Sequence, residues 1–249
     1  MFGISLYQQK VNELRPEGRR PFDAHNVFTA HGLSNTNTPY VSQVPCSWGA
    51  VYFPEHWREF HAYLNLRFSD DWLSTDEHVV PHVRSNKWRK SWKKFFIEMV
   101  YLRGYAMLYP NYDGFLSLST NHLEVGSHVK EEPKEAYDQK KMLFTLPLIP
   151  LNEQPKGDRK SVDTGLLDLP QKRLPSRSEL PVLDLLGEVS SATLLEERGN
   201  TRLVQMLGCR TYASYKGRKG MFNAEDLFTC ADEVDGFSDP DSLNVYYDI

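Results

Sequence analysis

The stretch CSWGAVYFPEHWREFHAYL, residues 46–64, decides the fold of this chain. Its Trp48-Gly49 pair predicts a tight turn, and the run AVYF at 50–53 predicts a short strand. Pro54 suits the first residue of a helix, because the backbone N–H that proline lacks would be unpaired there. Apolar side chains then recur along one helical face at Trp57, Phe60, Leu64 and Phe68. The stretch therefore predicts a strand followed by an amphipathic helix.

The rest of the first half predicts more helices and strands in alternation. A second helix is expected from Ser85 or Asn86, either of which can cap its start, to Gly104, which can end it in a left-handed conformation. Its apolar face comprises Trp88, Trp92, Phe95, Phe96, Met99 and Val100. Strands are expected at 3–7, before Pro45, at 105–110 and at 115–120. This order predicts an α/β or α+β fold.

The composition limits the classes of partner. The chain has 249 residues, 40% of them hydrophobic, and a formal net charge of -4. A negative balance argues against a nucleic acid partner, which would need a basic surface. An apolar run of 18 residues is lacking, so the sequence predicts no transmembrane segment in this chain. The first ten residues, MFGISLYQQK, lack the features of a signal peptide. A membrane anchor in a longer form of the protein stays open.

Composition also divides the chain into three parts. Residues 1–150 contain all five tryptophans and all eight histidines and predict the α/β domain. Residues 151–181 are rich in Pro, Lys, Arg and Ser and predict a linker. Residues 182–249 predict a C-terminal appendage with short helices and an acidic end, in which LPVLDLLGEV forms a helix or an extended strip. Whether Cys209 and Cys230 form a disulfide is left open.

The Trp48-Gly49 turn is the first candidate binding feature. Glycine lets a backbone approach a ligand closely, and an indole offers a flat apolar face with one N–H donor. Both suit stacking on a sugar ring, although a core tryptophan in a tight turn explains the same residues. Glu55 lies close to this turn in the sequence and is a candidate catalytic base, while the helix dipole also explains it.

A second candidate feature is the segment STNHLEVGSH, residues 119–128. If its backbone is extended, His122 and Glu124 point to the same side, and Gly126 can turn the chain so that His128 joins them. Two imidazoles and a carboxylate form a plausible ligand set for a divalent metal, expected to be Mn or Mg. Each histidine can equally satisfy a backbone carbonyl.

A basic run lies in the second predicted helix. Lys87, Arg89, Lys90, Lys93 and Lys94 fall within eight residues. Such a run suits an anion site for the phosphates of a nucleotide-sugar or for a membrane headgroup. A solvated helix face with a Lys94–Glu98 pair explains it as well.

Four segments resemble a known family: GISLY, PYVSQVPCSWGAVYFPEHWREFHAYL, RSNKWRKSWKKFFIEMVYLRGYAMLYPN and STNHLEVGSH. Together they resemble the later half of uncharacterised, largely fungal, glycosyltransferase-like proteins of the GT-A type. The resemblance implies a partial GT-A-like layered domain that forms the acceptor side. It further implies a nucleotide-sugar donor, a carbohydrate acceptor and a location in the Golgi or ER. The metal-binding D-x-D and the donor strands of that type precede the region resembled, which implies an incomplete or inactive fragment.

Three functional hypotheses follow. In the first, the chain transfers a sugar from a nucleotide-sugar to an acceptor, with Glu55 or Glu98 as the base. Trp48, Gly49, Trp57 and Asn121 then bind substrate, and His122, Glu124 and His128 bind the metal. In the second, the chain is a non-catalytic carbohydrate- or protein-binding module, and a cytoplasmic location is then expected. A weaker third hypothesis is that the basic helix docks on an anionic membrane.

Overall fold

The computed structural model describes residues 1–69, 78–89, 91–123, 133–149, 173–209, 224–228 and 230. The predicted mixed α/β class is confirmed. The strands are Gly3–Ser5 (β1), Val11–Asn12 (β2), Arg20–Pro21 (β3), Tyr40–Ser42 (β4), Ala50–Tyr52 (β5), Met107–Tyr109 (β6), Val182–Leu183 (β7) and Val189–Ser190 (β8). The α-helices are Ala24–Ala30 (α1), Pro54–Phe68 (α2), Trp92–Arg103 (α3), Lys134–Phe144 (α4) and Ala192–Leu207 (α5). Short 3-10 helices cover Arg84–Lys87, Asp113–Phe115 and Glu225–Phe228.

Six strands form one mixed sheet in the order β5-β1-β6-β4-β7-β8, while β2 and β3 form a separate hairpin. β1 runs parallel to β6, and β4 runs parallel to β7; the other neighbours are antiparallel. Because side chains alternate along a strand, this register divides the residues between two faces. One face carries Tyr40, Met107, Tyr109 and Leu183, which belong to the main core together with residues of α2, α3 and α5. The opposite face carries a small cluster around Val41 and Leu108.

Helix α2 begins as the sequence predicts. Pro54 is its first residue, and Phe53 precedes it in an extended conformation. The buried face, however, is offset from the predicted one: it consists of His56, Glu59, Phe60 and Tyr63. Phe68, a predicted member, is 69% exposed. The offset arises because Glu59 has partners inside the core, which a count of apolar residues alone does not include.

Helix α3 ends as predicted and begins later than predicted. Gly104 caps it with φ 63° and ψ 24°, the left-handed conformation that glycine adopts readily. The helix starts at Trp92, and the predicted first turn is a separate 3-10 helix over Arg84–Lys87. The predicted strand at 115–120 is also wrong: the described structure there is the end of a 3-10 helix and a single bridge between Ser117 and Leu148.

The C-terminal segment joins the same sheet and core. β7 pairs with β4, so the extended alternative for LPVLDLLGEV is the one observed. Helix α5 packs on α3 at Gly199, where an added Cβ would lie 2.3 Å from the Leu102 carbonyl oxygen. Gly199 therefore permits close packing and does not interrupt the helix. Cys209 and Cys230 form a disulfide. Residues 151–172 of the predicted linker lie outside the described residues.

Across the described ranges, no helix is long and apolar enough to cross a membrane.

Candidate functional site

Ser119 and Leu6 hold the Trp48-Gly49 turn through hydrogen bonds to its backbone carbonyls. The Ser119 hydroxyl donates a hydrogen bond to the Trp48 carbonyl at 3.0 Å, and the Leu6 N–H donates to the Gly49 carbonyl at 2.7 Å. Gly49 has φ 111°, and an added Cβ would lie 2.4 Å from the Ser119 hydroxyl oxygen. The close approach that requires glycine is therefore to Ser119. A ligand is not needed to explain it.

The Trp48 ring is half-buried, and side chains from distant segments surround it. Its centroid lies 5.2 Å from that of Tyr7 and 4.8 Å from that of Phe144, both in edge-to-face geometry. The Lys93 ammonium lies 5.5 Å from the ring centroid, within the range of a cation–π contact. Trp48 therefore lines a small pocket, which we call the Trp48 pocket.

A buried ion pair forms one wall of the Trp48 pocket. Lys93 Nζ lies 2.5 Å from Glu13 Oε1, and the two side chains are 9% and 14% exposed. Burial opposes ionisation of Glu13, but the neighbouring Lys93 ammonium outweighs it and lowers the pKa of the carboxyl. The Glu13 carboxyl is therefore ionised at neutral pH, close to the ring of Trp48.

Gln9 and Cys46 also line the Trp48 pocket. Gln9 is 7% exposed, and its Oε1 is buried without a hydrogen-bond partner among the described residues. Burial raises the pKa of the Cys46 thiol, so this cysteine is not an activated nucleophile. The free space is about 20 Å³, which suffices for about one water molecule.

An open groove of about 750 Å³ lies beside the Trp48 pocket. Its walls are the β2–β3 hairpin, the start of α1, and the loop at Leu186 and Gly187. Gln9 and Glu13 line the pocket, whereas Lys10, Asn12 and Arg15 line the groove. We call this second site the hairpin groove.

The hairpin groove combines charged and amide groups with one aromatic ring. Arg15, Arg20, Asp23 and Asn26 line it, and an Asp23 carboxylate oxygen accepts a hydrogen bond from the Asn26 amide at 3.1 Å. Phe115 contributes the ring, over which the Lys10 ammonium lies at 5.6 Å from the centroid. Phe115 has φ 58°, a left-handed conformation that costs a bulky residue about 1–2 kcal/mol.

The two predicted catalytic carboxylates lie far apart: Glu55 is at the start of α2, and Glu98, on α3, pairs with Arg67 near the end of α2. Glu55 is in the first turn, while Glu98 accepts hydrogen bonds from Arg67 Nε at 2.8 Å and from the Tyr63 hydroxyl at 3.0 Å. The rise along a helix puts residues 55 and 67 roughly 18 Å apart. Glu98 is 2% exposed, so its contacts are those of a buried ion pair between α2 and α3.

The other predicted site residues are dispersed. Trp57 belongs to an aromatic cluster, with ring centroids of Tyr52 at 5.3 Å and Phe60 at 5.4 Å. Asn121 is half-buried, and its carbonyl accepts a hydrogen bond from the Thr145 hydroxyl. His122 is exposed. Glu124 and His128, the other two predicted metal ligands, lie outside the described residues. Among the residues that are described, no three His, Cys, Asp or Glu side chains form a group able to hold a metal ion.

Sequence reasoning missed Gln9, Glu13 and the inward position of Lys93. The basic run 87–94 predicts a solvated or anion-binding face, yet Lys93 is buried because it pairs with Glu13, about 80 residues earlier. Alternation through Gln9, Val11 and Glu13 is a local signal, but it does not reveal the partner.

His56 makes the stability of the fold sensitive to pH. Burial lowers its pKa from 6.5 to about 4; the ring packs edge-on against Tyr105, and Glu55 Oε1 lies 3.7 Å from Nδ1. Between these pKa values the unfolded chain binds the proton and the folded chain does not, so stability falls as the pH falls. We expect the free energy of unfolding to fall by about 3 kcal/mol between pH 7 and pH 4 because of His56. The variant His56→Gln should not show this part of the loss. Urea unfolding at several pH values measures the difference, and parallel pH profiles for the two proteins would contradict it.

One comparison with known proteins gives a match. A family model described as the SPBC1E8.03c C-terminal domain matches residues 19–73. This range includes Arg20, Asp23 and Asn26 of the hairpin groove, the Trp48 turn and helix α2. Over these residues the chain is similar to that domain. No curated protein and no solved structure matches.

Proposed function

We propose that this chain is the acceptor-side, saccharide-binding part of a glycosyltransferase-like protein and that it binds a saccharide in the hairpin groove. The observation that carries the proposal is the position of Phe115 in a strained backbone conformation at the edge of that groove. Strain of this kind persists where surrounding structure maintains it, and it is concentrated at binding and active sites.

The chemistry of the hairpin groove suits a saccharide. A sugar ring has an apolar face, which an aromatic ring can cover, and hydroxyl groups that both donate and accept hydrogen bonds. Arg15 and Arg20 supply donors, Asp23 supplies acceptors, and the Asn26 amide supplies both. A volume of about 750 Å³ lies within the usual range for small-molecule sites.

The disulfide between Cys209 and Cys230 supports a location in the ER or Golgi, because disulfides persist in oxidising compartments. This is the compartment that a glycosyltransferase-like protein of this type implies. Nucleotide-sugar binding, a divalent metal and sugar transfer remain parts of the same proposal.

One observation favours the alternative of a binding module without turnover. Both Glu98 oxygens accept hydrogen bonds from Arg67, and one also accepts from Tyr63. A carboxylate so paired is poorly suited to remove a proton from an acceptor hydroxyl, since its basic lone pairs are engaged. Glu55 is then the remaining candidate base.

A binding titration tests the proposal. A panel of immobilised oligosaccharides identifies a bound saccharide, and titration calorimetry measures its affinity for wild type and for the double variant Arg20→Ala/Asn26→Ala. We expect at least a tenfold loss of affinity, because hydrogen bonds to charged groups contribute about 1.5–3 kcal/mol. The matched control is Arg58→Ala/Asn65→Ala, which changes the same residue types on exposed positions of α2.

The outcomes separate the hypotheses. Binding of no saccharide, or equal affinity in the two double variants, contradicts the proposal. The titration is repeated with a chelator. A loss of binding with the chelator supports the metal-dependent glycosyltransferase, and unchanged binding supports the module without turnover.

A further inference from the structure

Phe144 lines the Trp48 pocket on the side of the exposed Arg19. It is the buried residue of α4, and the described residues before it in that helix are exposed or half-buried. Its ring lies between the Trp48 ring, at 4.8 Å, and the guanidinium of the exposed Arg19, at 5.4 Å from its centroid. The Tyr7 hydroxyl donates a hydrogen bond to the Phe144 carbonyl at 2.9 Å. This hydrogen bond holds the backbone of Phe144 in place, and the side chain packs on Trp48 as part of the pocket lining.

The mainly apolar lining of the Trp48 pocket contains a few charged and amide groups beside the Phe144 ring. The Glu13 carboxylate and the Lys93 ammonium form one wall, and the Gln9 Oε1 is a buried acceptor to which no group in the described part of the chain donates. A buried acceptor left unpaired is costly, because it has lost its hydrogen bonds to water. Phenylalanine has no group that can donate to it. A ligand with a flat apolar face and peripheral hydroxyls would satisfy both the Trp48 ring and these polar groups.

We infer that the Trp48 pocket is a subsite for one pyranose ring and that the Phe144 side chain occupies it when no saccharide is bound. The ring of the sugar stacks on Trp48 in place of Phe144. One hydroxyl donates a hydrogen bond to Gln9 Oε1, and others contact Glu13 and Lys93. This inference rests on the proposed saccharide binding, since it extends the hairpin groove by one ring.

The two sites share the walls that this extension requires. Val11 lines both the Trp48 pocket and the hairpin groove. At the end of α4, Leu143 lines the groove and the next residue, Phe144, lines the pocket. A rotation of the Phe144 side chain therefore opens the pocket at the wall that it shares with the groove.

Removal of the Phe144 side chain tests the inference. Wild type, Phe144→Ala and Phe144→Ala/Gln9→Met are melted with and without methyl glycosides of glucose, mannose, galactose and N-acetylglucosamine. We expect one glycoside, at ten times its Kd, to raise the melting temperature of Phe144→Ala by about 3 °C or more. We expect no rise for wild type, in which Phe144 competes, and none for the double variant, in which the acceptor is missing. Phe144→Leu provides the same comparison if Phe144→Ala does not melt cooperatively.

Each other result overturns part of the inference. A cooperative melt of Phe144→Ala that no glycoside shifts overturns the subsite, while binding of oligosaccharides by wild type leaves the proposed function intact. Equal shifts of the melting temperature in wild type and Phe144→Ala overturn the inference that the Phe144 side chain occupies the subsite. Equal shifts in the single and double variants overturn the role of Gln9. Failure of wild type to bind any oligosaccharide contradicts the proposed function itself.

Discussion

Replacing Arg103 with Met should lower the free energy of unfolding by about 3–5 kcal/mol, because it leaves a carboxylate buried without its charged partner. The carboxylate is that of Glu59, which is 0% exposed. It accepts hydrogen bonds from Arg103 Nε at 2.6 Å and from the Tyr105 hydroxyl at 2.9 Å. Tyr105 remains in the variant, but a neutral hydroxyl does not compensate a buried negative charge. The methionine keeps most of the apolar stem of arginine, so lost packing contributes little.

Urea unfolding of wild type and Arg103→Met measures this effect. Arg58→Met is the matched control, because Arg58 lies one residue before Glu59 on the exposed side of α2. We expect the control to change stability by less than about 0.5 kcal/mol. A loss of under 1 kcal/mol in Arg103→Met would show that Glu59 is solvated or otherwise compensated in solution.

Phe96→Ala should destabilise the fold by about 3–5 kcal/mol, the usual range for removal of a core aromatic side chain. Phe96 is 0% exposed and lies at the centre of an aromatic cluster. Its ring centroid is 4.6 Å from that of Phe60, 5.2 Å from that of Tyr52 and 5.3 Å from that of Phe2. The variant thus loses contacts with three rings from α2, β5 and the chain start, in addition to creating a cavity.

The matched comparison is Trp57→Ala. Trp57 contacts the same cluster but is half-buried, so water can fill part of the space that its removal leaves. We expect a smaller loss of stability than for Phe96→Ala, although tryptophan is the larger side chain. Urea unfolding of the two variants measures which of them loses more stability. A larger loss for Trp57→Ala would show that Trp57, on α2, contributes more to the cluster than Phe96 does.

Local sequence signals predicted the start of α2 and the end of α3, but not the start of α3. Pro54 begins α2 and Gly104 ends α3, because each residue has a backbone property that acts on its immediate neighbours. The buried face of α2 could not be predicted in the same way. Glu59 is charged, and only its pairing with Arg103, 44 residues later, makes its burial favourable. A pattern of apolar residues therefore assigned Phe68 to the core in its place.

The candidate site shows the same limit. The sequence identified the Trp48-Gly49 turn, and it left open whether the indole binds a ligand or packs in the core. The surroundings of the indole come from Tyr7, Lys93 and Phe144, which lie in three separate segments. Nothing within a few residues of Trp48 indicates that Phe144 lines a pocket with it. The hairpin groove was missed for a related reason, since residues 15–21 have the composition of a turn.

The pairing of β7 with β4 joins residues roughly 140 positions apart, Val41 with Val182. During synthesis, the N-terminal part of the chain leaves the ribosome first, and β4 then presents an unpaired edge until β7 emerges. An exposed edge of this kind can pair with another chain, so the nascent protein needs protection during that interval. Any messenger that ends before the codons for β7 would encode a product prone to aggregation, even though it retained the Trp48 pocket and helices α1 to α4.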